Sequence, residues 1–166
     1  MVRVPPASVT SVWLSGRAMI GTRPHRRVLL PAELDVEGGV VPLLFGSVEP
    51  LRPGDVDFFR SGADERWILL HGRIGDGLRH PAIHVDWWTR YGSDRPPVNH
   101  ATVAGVVQHR WEELDTVVIG SAHIGPGTDG VAVGDRLFVE GRAVARYNED
   151  GPWVSVEADS MVLIGE

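Results

Sequence analysis

Apolar and polar residues alternate along most of this chain, and an alternation with a period of two residues predicts β-strands. Helical periodicity is almost absent, and only the short segments 48–52 and 110–114 are candidates for helices. The 20 glycines and 12 prolines separate the apolar segments, as turn residues do. Nine strands are predicted, at residues 9–20, 26–35, 39–46, 66–74, 82–90, 99–109, 115–124, 132–147 and 153–164. The chain is therefore expected to be all-β.

The segment YGSDRPP, at residues 91–97, is the strongest candidate for a linker, because it combines glycine, serine and two prolines. Similar features stand on both sides of it. "PLRPGDVDFF" and "VAVGDRLFV" place Gly-Asp before an apolar run, and "WILLHGRIGDG" and "LFVEGRAVARYNEDG" place Gly-Arg inside a strand. A glycine inside a strand indicates a bulge or a tight bend, with which small barrels turn their corners. Two β domains, at residues 1–92 and 98–166, are therefore expected.

Length and composition exclude several classes of protein. The 166 residues suffice for one large or two small β domains, and 43% apolar residues suffice for a core. The absence of cysteine excludes disulfides and thiolate metal sites. No apolar run approaches the roughly 20 residues of a membrane helix, and no long apolar segment follows Met1 as in a secretory signal. A cytoplasmic protein without a membrane segment is expected.

Charge is unevenly distributed along the chain. All 16 basic residues are arginines, whose guanidinium groups stack on rings and bind phosphate in a bidentate manner. Residues 1–98 contain 12 arginines and 11 acidic residues, whereas residues 99–166 contain 4 arginines and 11 acidic residues. A polyanionic partner should therefore prefer the first part.

The last two strands read VGDRLFVEGRAVARYNEDGPWVSVEADSMVLIG at residues 133–165. This hairpin resembles the fourth and fifth strands of bacterial single-stranded-DNA-binding proteins. The residues that carry the resemblance are Gly134, Asp135, Val139, Gly141, Arg142, Asp150, Gly151 and Gly165. Residues 40–55 resemble the third strand of that family and the segment after it, and residues 12–20 resemble its first strand. The resemblance implies the OB-fold, a five-stranded Greek-key barrel that binds oligonucleotides, and two OB-like barrels in tandem are the expected architecture.

Alternation within the strands of the first part places one set of side chains outside the barrel. This set comprises Trp13, Arg17, Trp67, His71, Arg73, Trp88 and Arg90, and Arg26 and Arg27 in the loop between the first two strands would extend it. Indole rings stack on bases and guanidinium groups bind phosphates, so the set predicts binding of single-stranded nucleic acid. The acidic second part is expected to pair with the first part or with another chain, and a homodimer is the expected assembly.

Other readings of the same tryptophans stay open. The indole rings would equally suit packing against the other domain or against a second copy of the chain, which would make this a protein-interaction module. A closed barrel with a tryptophan-lined interior would instead bind, or fold towards cyclisation, a small hydrophobic molecule. A hotdog-like domain is disfavoured, because no segment can supply its long central helix.

Catalytic and metal-binding patterns find little support in the sequence. Ser121 precedes His123 closely but lacks the Gly-x-Ser-x-Gly context of a nucleophile elbow. His80 and His84 would lie ~13 Å apart on a strand, which is too far for one ion. No pattern in the sequence indicates a nucleophile, its base and an orienting group together. A protein without enzymatic activity, cofactor or metal is the expectation.

Overall fold

The computed structural model describes residues 8–20, 30–36, 39–45, 67–77, 80–149 and 151–164. Within these ranges the chain forms eleven strands and one 3-10 helix, Glu112–Leu114. The strands are β1 (Val9–Ile20), β2 (Leu30–Val36), β3 (Gly39–Phe45), β4 (Trp67–Asp76), β5 (Pro81–Arg90), β6 (Asn99–Val106), β7 (His109–Trp111), β8 (Thr116–Ile119), β9 (Ala122–Ile124), β10 (Arg136–Asn148) and β11 (Gly151–Leu163). The predicted all-β class is confirmed.

Most predicted strands are found close to their expected bounds, but two of them are each split into two. The segment 99–109 forms β6 and then continues into β7, and the segment 115–124 forms the hairpin of β8 and β9. Gly120 provides the turn of this hairpin with a φ of 60°, a left-handed conformation that glycine adopts without steric cost. The 3-10 helix lies within the helical candidate 110–114, whereas the candidate 48–52 lies outside the described residues.

Strand pairing connects all eleven strands into one sheet, in the order β2-β3-β5-β4-β1-β6-β10-β11-β9-β8-β7. We call β1 to β5 the first half of the chain and β6 to β11 the second half. β2 also pairs with β1, so that the pairings of the first half lead from β1 through β2, β3, β5 and β4 back to β1. In the second half, the consecutive strands β6 and β7 take the place of β1, followed by β8, β9, β11 and β10. The third and fifth positions pair in parallel in both halves, through β3–β5 and β9–β11. The two halves therefore share one order of pairing.

The two halves are joined where β1 pairs with β6. Val9–Leu14 lies antiparallel to Asn99–Ala104 along this junction. Ser15 and Val98 extend it, because the Val98 N–H donates to Ser15 Oγ at 2.7 Å and the Ser15 N–H donates to the Val98 carbonyl at 2.8 Å. Six neighbouring strands, β5-β4-β1-β6-β10-β11, consequently form one continuous surface.

Alternate aliphatic residues of the strands form the core. Val12, Leu14 and Leu70 in the first half are at most 1% exposed, as are Val139 and Ile124 in the second. These side chains belong to one cluster that contains residues from both halves. Burial of one side of each strand explains the alternation in the sequence and leaves the opposite side chains available for a site. Among the described residues there is no helix with the length and apolar character that crossing a membrane requires.

Candidate nucleic-acid interface

Three aromatic rings meet on the outer surface of β1, β4 and β5. Trp13 on β1 lies opposite His71 on β4, which lies opposite Trp87 on β5. The ring centroids of Trp13 and His71 are 4.6 Å apart, and those of Trp13 and Trp87 are 5.8 Å apart in an edge-on arrangement. Trp13 and Trp87 are 40% and 44% exposed. We call Trp13, His71 and Trp87 the central cluster.

His71 is held on both sides by hydrogen bonds. Its Nδ1 lies 2.7 Å from Asp86 Oδ1, and its Nε2 lies 2.9 Å from Ser11 Oγ. An ionised carboxylate can only accept, so Nδ1 of the neutral ring carries the proton and Nε2 accepts from the Ser11 hydroxyl. These two bonds fix both the tautomer and the orientation of the ring beside Trp13.

A bulge between β4 and β5 decides which tryptophan faces outward. His71 pairs with Trp87 and Gly72 pairs with Val85, so that Asp86 has no opposite residue. The extra residue shifts the alternation by one position. Asp86 and Trp87 are consequently both exposed, whereas Trp88 is half-buried and packs against the core.

The prediction that Trp88 and Arg90 lie on the outer face is therefore wrong. Trp88 pairs with Leu70, and Arg90 pairs with Ile68, and both partners are core residues. Directly opposite residues of neighbouring strands project from the same face. Trp88 thus points towards the core, and Arg90, although exposed, lies on that same side at the end of β5. The sequence pattern missed this because a strict alternation over 82–90 leaves no room for a bulge.

Besides Arg90, the predicted arginines of the described residues are Arg17 and Arg73, which differ in their exposure. Arg73 is exposed on β4, two residues after His71 and on the same face. Arg17 is half-buried opposite Trp67, and no described residue accepts a hydrogen bond from its buried Nε. Arg26 and Arg27 lie outside the described residues.

Trp67 lies at the start of β4, where the chain forms a separate cleft. The cleft has a volume of ≈ 440 Å³ and is lined by Trp67, Arg90, Tyr91, Gly92, Ser93, Asp94 and Arg95. The Arg95 guanidinium carbon lies 5.6 Å from the centroid of the Tyr91 ring, within the range of a cation–π contact. Of the predicted residues, Trp13 and Arg73 thus lie at the central cluster, whereas Trp67 and Arg90 line this cleft.

The second half carries a row of aromatic rings that the sequence pattern does not predict. His109, Trp111, His123 and Trp153 follow one another with centroid distances of 5.5, 4.9 and 4.7 Å. Burial lowers the pKa of His123, and the nearby His80 lowers it further. The alternation of His109 and Trp111 on one strand was a local signal for this row, but only the pairing of β7, β8, β9 and β11 brings the remaining rings beside them.

The described residues include the candidate metal ligands His80 and His84 as well as Ser121. No group of three or more histidine or acidic side chains among them is arranged to bind a metal ion. The Ser121 hydroxyl contacts Asp76 Oδ1 at 2.9 Å. The Ser121 hydroxyl therefore donates to a carboxylate at the end of β4.

Solved structures of single-stranded-DNA-binding proteins from Thermus aquaticus share this architecture. A deletion variant of that protein is 14% identical to this chain, with a TM-score of 0.62 over 96% of both chains. The wild-type protein is 13% identical, with a TM-score of 0.58 over 96% of this chain and 94% of that one. The chain has the fold of a single-stranded-DNA-binding protein. No family model and no curated protein matches the sequence. The resemblance seen in the closing hairpin is confirmed at the level of the fold.

Proposed function

We propose that this chain binds single-stranded nucleic acid by stacking bases on exposed rings and by contacting phosphates with arginines. The observation that carries the proposal is the fold, which covers 96% of the chain and is shared with a protein that is named for binding single-stranded DNA. The central cluster supplies two exposed indole rings, and Arg73 supplies a cation on the same face. Each stacked base would contribute roughly 1–3 kcal/mol.

The architecture behind this proposal is a pair of OB-like units, at residues 1–92 and 98–166. The shared order of strand pairing supports it, since the third position pairs in parallel with the fifth in both halves. Glycines inside strands support it as well. At Gly141, where β10 shifts register against β11, a Cβ would collide with the carbonyl oxygen of Glu157. A bulge of this kind gives a small barrel its curvature.

A second candidate is self-association through the same face, as in a homodimer. Two observations favour it. The central cluster lies within the continuous surface of six strands, where two copies can meet over a broad area. The Asp86 carboxylate, 54% exposed, stands beside the cluster and would repel a phosphate. A tryptophan-lined interior for a small ligand is less well supported, because Trp13 and Trp87 lie outside.

Titration with a labelled oligo-dT distinguishes the two candidates. Trp13→Ala and Trp87→Ala are compared with the wild type by fluorescence anisotropy at low and high salt, and the mass of each variant is measured by light scattering. Base stacking predicts a loss of affinity of about 5- to 150-fold per ring at unchanged mass, with binding weakened by salt in all variants.

Self-association predicts the opposite combination. The alanine variants would then have a smaller mass than the wild type, while their affinity for oligo-dT would be unchanged. If the wild type shows no salt-sensitive binding of oligo-dT, the nucleic-acid proposal is wrong. Titrations with duplex DNA and with RNA of the same length show which type of nucleic acid the protein prefers.

A further inference from the structure

Three neighbouring strands bring a serine, a histidine and an aspartate into one hydrogen-bonded chain. Ser11 lies on β1, His71 on β4 and Asp86 in the bulge of β5. The distances are 2.9 Å from Ser11 Oγ to His71 Nε2 and 2.7 Å from His71 Nδ1 to Asp86 Oδ1. Both lie within the range expected for a nucleophile and its base, and for a base and the group that orients it.

The protons in these two hydrogen bonds are arranged for attack by the serine. The carboxylate can only accept, so the Asp86 contact places the proton on Nδ1 and leaves the Nε2 lone pair directed at the Ser11 hydroxyl. This is the tautomer in which a histidine can remove a proton from a serine. The site is open to reagents, since the His71 and Asp86 side chains are 27% and 54% exposed.

We propose that Ser11 is a nucleophile for acyl transfer from small aryl esters, with His71 as its general base and Asp86 as the residue that positions His71. Ser11 Oγ bonds to the ester carbonyl carbon and its proton passes to His71 Nε2. The aryloxide then leaves and takes this proton, which yields a phenol and acyl-Ser11. Water then attacks the carbonyl carbon of acyl-Ser11 and gives a proton to His71 Nε2. Nε2 passes this proton to Ser11 Oγ as the bond to the acyl group breaks and the carboxylic acid is released.

The neighbouring side chains indicate the class of ester. Trp13 follows Ser11 by two positions and therefore lies on the same face of β1. Trp87 follows Asp86 and meets Trp13 with 5.8 Å between the ring centroids. Exposed indole rings beside the hydroxyl favour an aromatic leaving group, which packs against them edge-on or in an offset stack. This inference is independent of the proposed binding of nucleic acid.

The test uses the full chain and p-nitrophenyl acetate. Release of nitrophenolate is followed by absorbance, and the acetyl group is located by peptide mass spectrometry. We expect acetylation of Ser11, which Ser11→Ala abolishes and His71→Gln slows by at least about 100-fold, as loss of a general base does. Ser160→Ala, at an exposed serine of β11, is the matched control and should leave the rate unchanged.

Asp86→Asn tests the positioning role and also serves if His71→Gln fails to fold. Loss of the carboxylate permits the wrong tautomer of His71, so the rate should fall and its dependence on pH should change, while a thermal melt remains cooperative. A purely structural role of Asp86 would move the melting temperature without changing the pH profile. The proposal is overturned if Ser11 is not acetylated, or if its acetylation proceeds at the wild-type rate in both variants.

Discussion

Replacing Trp88 by alanine tests the bulge that decides which of two adjacent tryptophans faces outward. Trp88 pairs with the fully buried Leu70 and packs against the core, whereas Trp87 is 44% exposed. Removal of a large aromatic side chain from a core costs about 3–5 kcal/mol, through lost burial and the cavity left behind. Because Trp88 is only half-buried, we expect the lower end of this range, about 3 kcal/mol.

Trp87→Ala is the matched control, since it removes the same side chain one residue away. It should cost about 1 kcal/mol, the worth of the edge-on contact with Trp13. In a domain of this size each kcal/mol lowers the melting temperature by about 2–4 °C, so the expected shifts are about 6–12 °C for Trp88→Ala and about 2–4 °C for Trp87→Ala.

Urea unfolding followed by circular dichroism measures both free energies on one scale. With a typical total stability of about 5–15 kcal/mol, both variants should remain folded at 25 °C. Binding of oligo-dT should show the reverse order, with the larger loss for Trp87→Ala. The bulge is wrongly placed if Trp87→Ala costs as much free energy of unfolding as Trp88→Ala.

Three further predictions concern charge and contacts between the halves. The Thr128 hydroxyl, 2.7 Å from the Asp115 carboxylate, lowers the pKa of Asp115 below its usual 3.8. The stability that results is present above pH 3.8 and is lost as the pH falls through the lower pKa of the folded state. Asp115→Asn should therefore melt at a lower temperature than the wild type at neutral pH, and this difference should shrink in acid. Burial lowers the pKa of His123 below 6.5, so the unfolded chain binds a proton there more readily than the folded chain does. The free energy of unfolding should therefore fall as the pH drops below 6.5, and it should fall less steeply in His123→Gln. Tyr147→Phe removes the hydroxyl that accepts from the Val40 N–H at 2.6 Å, and should reduce the free energy of unfolding in urea by about 0.5–1.5 kcal/mol.

Controls for these variants are simple. Asn at position 115 retains the left-handed conformation with its φ of 47°, because asparagine tolerates this region, so any loss is due to charge and hydrogen bonding. A His123→Gln variant that keeps the full pH dependence would show that another group is responsible. A Tyr147→Phe variant as stable as the wild type would mean that the contact between the halves contributes nothing.

The sequence determined the elements of this protein. Alternation with a period of two is a local property, because successive side chains of a strand point to opposite sides whatever the strand pairs with. The strand at 9–20 and the long closing hairpin are therefore predicted directly, and Gly141 inside a strand indicates a bulge or a tight bend whatever strand it pairs with. The all-β class and the OB-like resemblance depend only on such local signals.

The tertiary structure decided the register and hence the sites. One unmatched residue, Asp86, turned Trp88 inward and Trp87 outward, because a shift of one position exchanges the two faces of a strand. Ser11 and His71 are 60 residues apart, and Asp86 is another 15 residues away, so no spacing in the sequence marks their contact. The rings from His109 to Trp153 meet for the same reason. Pairing between distant strands carries no local signature, since it is the free energy of the whole sheet that selects it.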